Sequence, residues 1–214
     1  MKKVATKQNE NKLKKYGYFI VPEWLNETII KLSDFTSKKF KCIFNDDVNH
    51  KDDRKRKQVP LRLPKLFKIF KEEYPELIPK SATLLLSESG CQRQAAHCDY
   101  VPSKELLNAR LLPLLVFIAL EDDTYIDVWP KSHTIIKQIY SRKNTVRPIE
   151  RQQLSLNKGD LLVFRSDLVH AGSAYDKRNM RIHLYLDSPS VKRVRNRTYI
   201  IHDEAPQKII DCIV

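Results

Sequence analysis

KGDLLVFRSDLVHAGSAYDKRNMRIHLYLD, residues 158–187, is the stretch on which the reading of the fold turns. Lys158-Gly159-Asp160 reads as a turn, LLVF (161–164) as a buried strand and Arg165-Ser166-Asp167 as a second turn. Val169-His170-Ala171 then opens a strand whose histidine can point inward. From Arg181 onward Arg181, His183, Tyr185 and Asp187 alternate with Ile182, Leu184 and Leu186. Successive side chains of a strand point to opposite faces, so one whole face of this segment is polar. Placed in the interior, such a face suits a ligand pocket better than a structural core.

Working outward, short segments rich in leucine, β-branched and aromatic residues recur between residues 82 and 187: ATLLLSES, QAAHCDYV, LLPLLVFIAL, TYIDVWP, DLLVFRS, LVHAGSAY and RIHLYLD. Turns separate them. This predicts an all-β sandwich or barrel, best a jelly roll of two facing sheets, and not alternating β-α units. Upstream, YGYFIVP (16–22) reads as a short buried strand closed by proline. Residues 23–40 carry Trp24, Leu25, Ile29, Leu32 and Phe35 at mostly helical spacing, and residues 63–79 do the same with Leu66, Phe67, Phe70 and Tyr74. Residues 1–15, polar and lysine-rich, are expected to fray, and FNDDVNHKDDRKRK (44–57) to form an exposed, mobile loop. The expected class is mainly β with flanking helices. Residues 1–80 would form a helical and extended region packed on a β core of 81–214, one structural domain in all.

With 214 residues, 42% of them hydrophobic, the chain is long enough to bury a substantial core. No apolar run reaches the ~18 residues of a membrane span. The longest, LLPLLVFIAL (111–120), reads as a buried strand, and the amino terminus lacks the apolar core of a secretion signal. Cys42, Cys91, Cys98 and Cys212 form no C-x-x-C pair, which argues against a zinc ribbon or a thioredoxin-like site and for reduced thiols. An intracellular protein, cytoplasmic or nuclear and without membrane association, is the expectation. Lys and Arg number 39 against 26 Asp and Glu, a formal charge of +13 that favours an acidic partner such as nucleic acid. The competing reading, from abundant lysine, isoleucine and asparagine beside only four glycines, is that part of the charge is a compositional habit and not selection for a ligand.

The chemistry gathers in AAHCDY (95–100). His97 and Asp99 stand one residue apart, so in extended chain they share a face while Cys98 points away. Alone the triplet is a weak signal; His170 completes it. Two imidazoles and one carboxylate on one face of an octahedron leave three positions for a cosubstrate and dioxygen, as non-haem Fe(II) oxygenases need. Arg181 follows His170 by eleven positions (181 − 170 = 11) and offers a planar fork for the distal carboxylate of a 2-oxo diacid.

On YGYFIVPEWL, HCD, VWPKSH and GDLLVFRSDLVHAGSAYDKRNMRIHLYLD, the chain resembles the iron(II)/2-oxoglutarate-dependent oxygenases, and among them the phytanoyl-CoA dioxygenase-like branch. The resemblance implies a double-stranded β-helix, a cupin-like jelly roll with amino-terminal helices. It also implies Fe(II) on His97, Asp99 and His170 and 2-oxoglutarate on Arg181. The activity implied is hydroxylation, or oxidative demethylation, with release of succinate and CO2. The sequence departs from the family in EDDTYIDVWPKSH (121–133), which lacks glycines often found there; the departure falls at the pocket mouth and bears on the substrate.

Arg93 and Tyr185 are further candidates for cosubstrate contact, with Gln94 and His183 beside them. His133 is read as a residue that fixes a loop, Trp129 as core, and His50 and His202 as incidental. Two alternatives stay open: a non-catalytic jelly-roll module for an acidic partner, and a metal-dependent hydrolase. The substrate is unidentified. A small molecule is slightly favoured over a protein or a nucleic acid, and the oligomeric state is open.

Overall fold

The computed structural model describes residues 2–25, 39–42, 55–100, 103–134, 136, 149–191, 193 and 199–200. The helices are α1 (Lys7–Tyr16), α2 (Pro64–Glu73) and α3 (Lys104–Leu107). The early strands are β1 (Tyr18–Val21), β2 (Lys41–Cys42), β3 (Arg56–Leu61), β4 (Ile78–Ser87) and β5 (His97–Cys98). They are followed by β6 (Leu114–Ala119), β7 (Thr124–Val128), β8 (Gln152–Leu156) and β9 (Leu161–Arg165). The last are β10 (His170–Gly172), β11 (Asn179–Asp187) and β12 (Tyr199–Ile200). A seven-stranded sheet runs β1-β9-β6-β11-β4-β3-β2 and a five-stranded sheet β12-β5-β10-β7-β8. Each described pairing is antiparallel.

The larger sheet is covered on both faces, which explains why β6, LLVFIA, is buried at every position. Its Leu115, Phe117 and Ala119, with Leu85, Leu162 and Phe164, pack against Ile126, Val128, Leu154 and Leu156 of the smaller sheet. Val116 and Ile118, with Leu84, Val163, Ile182 and Leu184, turn the other way onto Leu66 and Phe70 of α2 and onto Val4 and Phe19. β11 obeys the same alternation. Its leucines and isoleucine join the outer core, so Arg181, His183 and Tyr185 are delivered between the sheets, as the sequence pattern predicts.

The amino terminus is more ordered than its composition suggests. Thr6 Oγ1 accepts from the Asn9 N–H at 3.2 Å and caps α1. Gly17 closes the helix at φ 90°, its N–H reaching the Leu13 carbonyl. Val4 is wholly buried, and the Ala5 N–H donates to Glu73. The expected mobile loop 44–57 is also corrected at its end. Arg56 and Lys57 begin β3, paired with Leu86 and Ser87 of β4, and Arg56 is only 1% exposed. The rest of that loop, most of the expected helix 23–40, and Cys212, His50 and His202 lie outside the described residues.

The helix expected over 63–79 ends at Glu73, after which the chain turns into β4. β8 was not foreseen, because on this edge strand only Leu154 and Leu156 are buried among polar residues. Residues 1–80 thus supply β1, β2, β3 and the start of β4 to the larger sheet. No helix among the described residues is long and apolar enough to cross a membrane.

Candidate active site

The site is assembled across the two sheets. β5 and β10 pair so that His97 stands directly opposite His170, their ring centroids 4.6 Å apart. Asp99 follows two residues after His97, where β5 has ended, and turns its carboxylate to the same point. Ligand-capable atoms of the three side chains lie within 4.8 Å of one another, and all three residues are buried. Backbone carbonyls fix both rings from behind: His97 Nδ1 lies 2.8 Å from the Ala95 oxygen and His170 Nδ1 3.0 Å from the Leu168 oxygen. A carbonyl can only accept, so each Nδ1 carries the proton, and in the neutral imidazole each Nε2 presents a lone pair.

Both Nε2 atoms are 3.6 Å from Asp99 Oδ1. Two lone pairs and an anionic oxygen converging in a buried space call for a positive charge between them, so this donor set fits a divalent transition metal. Burial opposes the Asp99 charge, but in the metal-free site the close imidazoles of His170, His183 and His97 outweigh it and hold the carboxyl well below its ordinary range.

The second oxygen, Asp99 Oδ2, accepts from the Tyr185 hydroxyl at 2.8 Å and faces His183 Nε2 at 3.6 Å. Burial pushes His183 down to about 3, so its imidazole is neutral at working pH. Burial and the Asp99 charge push the Tyr185 phenol well above its ordinary value, and it stays a donor.

Arg181 sits where β11 pairs with Ala119 on one side and Leu85 on the other. Its guanidinium lies between the rings of Phe117 (5.8 Å) and Tyr175 (5.4 Å) and donates to Ser87 Oγ at 3.1 Å. Its Nε is buried without a hydrogen bond, and among the described residues no carboxylate pairs with it. A buried cation in that condition fits an incoming anion.

Among the other candidates, Arg93 is not brought into this group. Its guanidinium is 3.9 Å from Asp127, on the face of β7 opposite to Val128, the residue paired with His170. Gln94 Oε1 instead accepts from the Gly172 N–H (2.9 Å). His133 reaches the last turn of α1, its Nε2 3.1 Å from the Lys14 carbonyl, while Ser132 Oγ accepts from the Val169 N–H just before β10. Trp129 is core.

Two residues were missed by the sequence reading. Ser87 receives both Arg181 and Arg56. Arg56 also donates to the carbonyls of Gln92 (2.7 Å), Gly172 (3.2 Å) and Ser173 (2.6 Å), tying together the chain before His97 and the chain after His170. Arg56 stands in a run of charges with nothing to mark it as buried; only its strand register does so.

No protein-family model matches the chain, and no curated protein matches its sequence. Solved structures do resemble its fold. The epimerase SnoN in complex with Fe3+, alpha ketoglutarate and nogalamycin RO superposes with a TM-score of 0.59 at 13% identity, over 92% of this chain and 95% of that one. HygX from Streptomyces hygroscopicus, with nickel, 2-oxoglutarate and hygromycin B bound, gives 0.57 at 12% identity over 94% and 98%. A Pseudomonas putida prolyl-4-hydroxylase gives 0.57 at 9% identity over 85% and 97%. At these identities the likeness is one of architecture: the chain has the double-stranded β-helix, or jelly-roll, fold that these proteins share.

Proposed function

We propose that the protein is an Fe(II)/2-oxoglutarate-dependent oxygenase, with His97, Asp99 and His170 as metal ligands and Arg181 as the anchor of the cosubstrate's distal carboxylate. One observation carries the reading. A buried triad of converging acceptors lies in the same intersheet space as a buried guanidinium that pairs with no carboxylate among the described residues. A metal alone would satisfy the first, and only a ligand with an anionic far end satisfies both. When bound, the iron would activate dioxygen, the oxidant, while 2-oxoglutarate would give up two electrons as it is converted to succinate and CO2.

The protein's own part is positional. The carbonyls of Ala95 and Leu168 orient the ligand imidazoles. Ser87 Oγ accepts from two guanidinium groups, which leaves its own proton free to donate to the same carboxylate as Arg181. Phe117, Phe164 and Leu115 exclude water from the inner wall.

A metal-dependent hydrolase would use the triad but leave Arg181 without a role. The reading extends to hydroxylation or oxidative demethylation of a small molecule, a preference supported by the nogalamycin and hygromycin ligands of the structural neighbours. Membership of the phytanoyl-CoA dioxygenase-like branch rests on the motif resemblance alone. Anaerobic reconstitution with Fe(II), followed by 2-oxoglutarate and air, should yield succinate. Absence of succinate from protein that holds iron would reject the proposal.

A further inference from the structure

β11 places His183 and Tyr185 on its inward face immediately beyond Arg181, their rings 4.5 Å apart. They meet the same atom. Asp99 Oδ1 is turned to the two ligand histidines, at 3.6 Å each, whereas Oδ2 takes the Tyr185 hydroxyl at 2.8 Å with His183 Nε2 at 3.6 Å. The carboxylate is therefore divided: one oxygen faces the metal position and the other is occupied from behind.

Resting on the metal-site reading above, we infer that Tyr185 is a positioning residue that confines Asp99 to one-oxygen ligation and so keeps a coordination position open. The arithmetic is that of an octahedron. Three protein atoms and a chelating 2-oxo acid take five positions and leave one for dioxygen. A carboxylate binding through both oxygens would take the sixth. Tyr185 is suited to this task because its ring is held independently of the hydroxyl, with the Arg193 guanidinium 3.8 Å above it and Tyr100 at 6.4 Å. His183 contributes a buried Nε2 that has no hydrogen bond and lies against the same oxygen, crowding any rotation of the carboxylate that would carry Oδ2 toward the metal. This assigns to Tyr185 a contact with the ligand carboxylate, in place of the direct cosubstrate contact expected from its strand position.

The test counts water on the metal. Mn(II) is bound to the wild-type protein, to Tyr185→Phe and to His170→Ala, and the paramagnetic relaxation of water protons is measured with and without 2-oxoglutarate. Wild type should hold about three exchangeable waters, and one after 2-oxoglutarate is added. Tyr185→Phe should lose about one in each state, so that its relaxation enhancement falls by about a third alone and nearly vanishes with 2-oxoglutarate. Tyr185→Phe removes only the hydroxyl, and an unchanged melting temperature of the metal-free proteins verifies that the fold is kept. If folding is impaired, His183→Phe with Tyr185 intact provides the second reading, and it should retain the wild-type water count. Equal relaxation in wild type and Tyr185→Phe overturns the inference while leaving the metal site standing. Equal Mn(II) binding by wild type and His170→Ala overturns the metal site and the inference with it.

Discussion

Arg181 is the residue whose surroundings make least sense without a ligand. The residue is 3% exposed, its guanidinium lies near two aromatic rings and donates to one serine, and its Nε has no hydrogen bond among the described residues. Charge-assisted hydrogen bonds contribute about 1.5–3 kcal/mol each, so Arg181→Ala should raise the 2-oxoglutarate requirement roughly 100-fold. Arg181→Lys should recover part of the loss, since a lysine keeps the charge but not the fork. Titration of succinate formation against cosubstrate concentration reads both, and unchanged requirements in the two variants would remove Arg181 from the site.

For the triad, His97→Ala, Asp99→Ala and His170→Ala should each abolish iron-dependent turnover while the far-ultraviolet dichroism stays that of the wild type. The intersheet and outer cores are built from other residues, and metal binding should also weaken as pH falls, because the ligand atoms must be unprotonated. Iron held undiminished by His170→Ala would contradict this ligand set.

At the scale of elements, the site depends on short strands being held at their ends. β5 is two residues long and β10 three, too little ladder to fix a metal site by themselves. Arg56 and Gln94 knit the segments together at Gly172, where a Cβ would lie 2.4 Å from Gln94 Oε1 and 2.7 Å from Arg56 Nη1. Both side-chain ends are pinned by hydrogen bonds, so they cannot yield freely. Gly172→Ala should therefore lower stability by about 1–3 kcal/mol, as overpacking does.

Arg56→Leu should cost roughly 3 kcal/mol, because it strands the carbonyls it now serves. Urea unfolding midpoints measure both effects, and wild-type midpoints would contradict the clamp. The neighbouring Lys57 pairs with Glu88 at 2.5 Å, and Lys55 reaches the Gly90 carbonyl, both near the surface. Neutralising these two lysines, while sparing Arg56, should leave stability within about 0.5 kcal/mol of wild type.

At the scale of the molecule, the two hydrophobic clusters among the described residues sandwich the larger sheet and neither includes the triad. Removal of metal by a chelator should accordingly lower the unfolding free energy by no more than the mass-action contribution of binding, about 3 kcal/mol at a hundredfold excess over Kd, without unfolding the chain. Differential scanning calorimetry of metal-free and reloaded protein measures this, and a metal-free protein lacking a cooperative transition would show that the core depends on the ion. The described part of the basic run, Lys55, Arg56 and Lys57, has no aromatic residue interleaved in its sequence to stack on bases. Succinate formation screened over small-molecule, protein and nucleic-acid pools should respond first to the small molecules. A response confined to nucleic acid, lost on neutralising Lys55 and Lys57, would reverse that expectation.

The strand pattern from residue 82 onward and the spacing of His97, Asp99, His170 and Arg181 could be read without coordinates. Alternation is a local property, and a polar face on an otherwise apolar strand has few uses. The same locality explains what was missed. Arg56 lies in a charged run, and its burial follows only from pairing with β4; α1 looked frayed until Val4 found a place in the outer core. Tyr185 and Arg93 looked equivalent as candidates, yet β11 carries one to the Asp99 carboxylate and β7 draws the other to Asp127. Which face of which sheet a side chain meets depends on contacts between residues far apart in the chain, and those exist only once the two sheets have closed on each other.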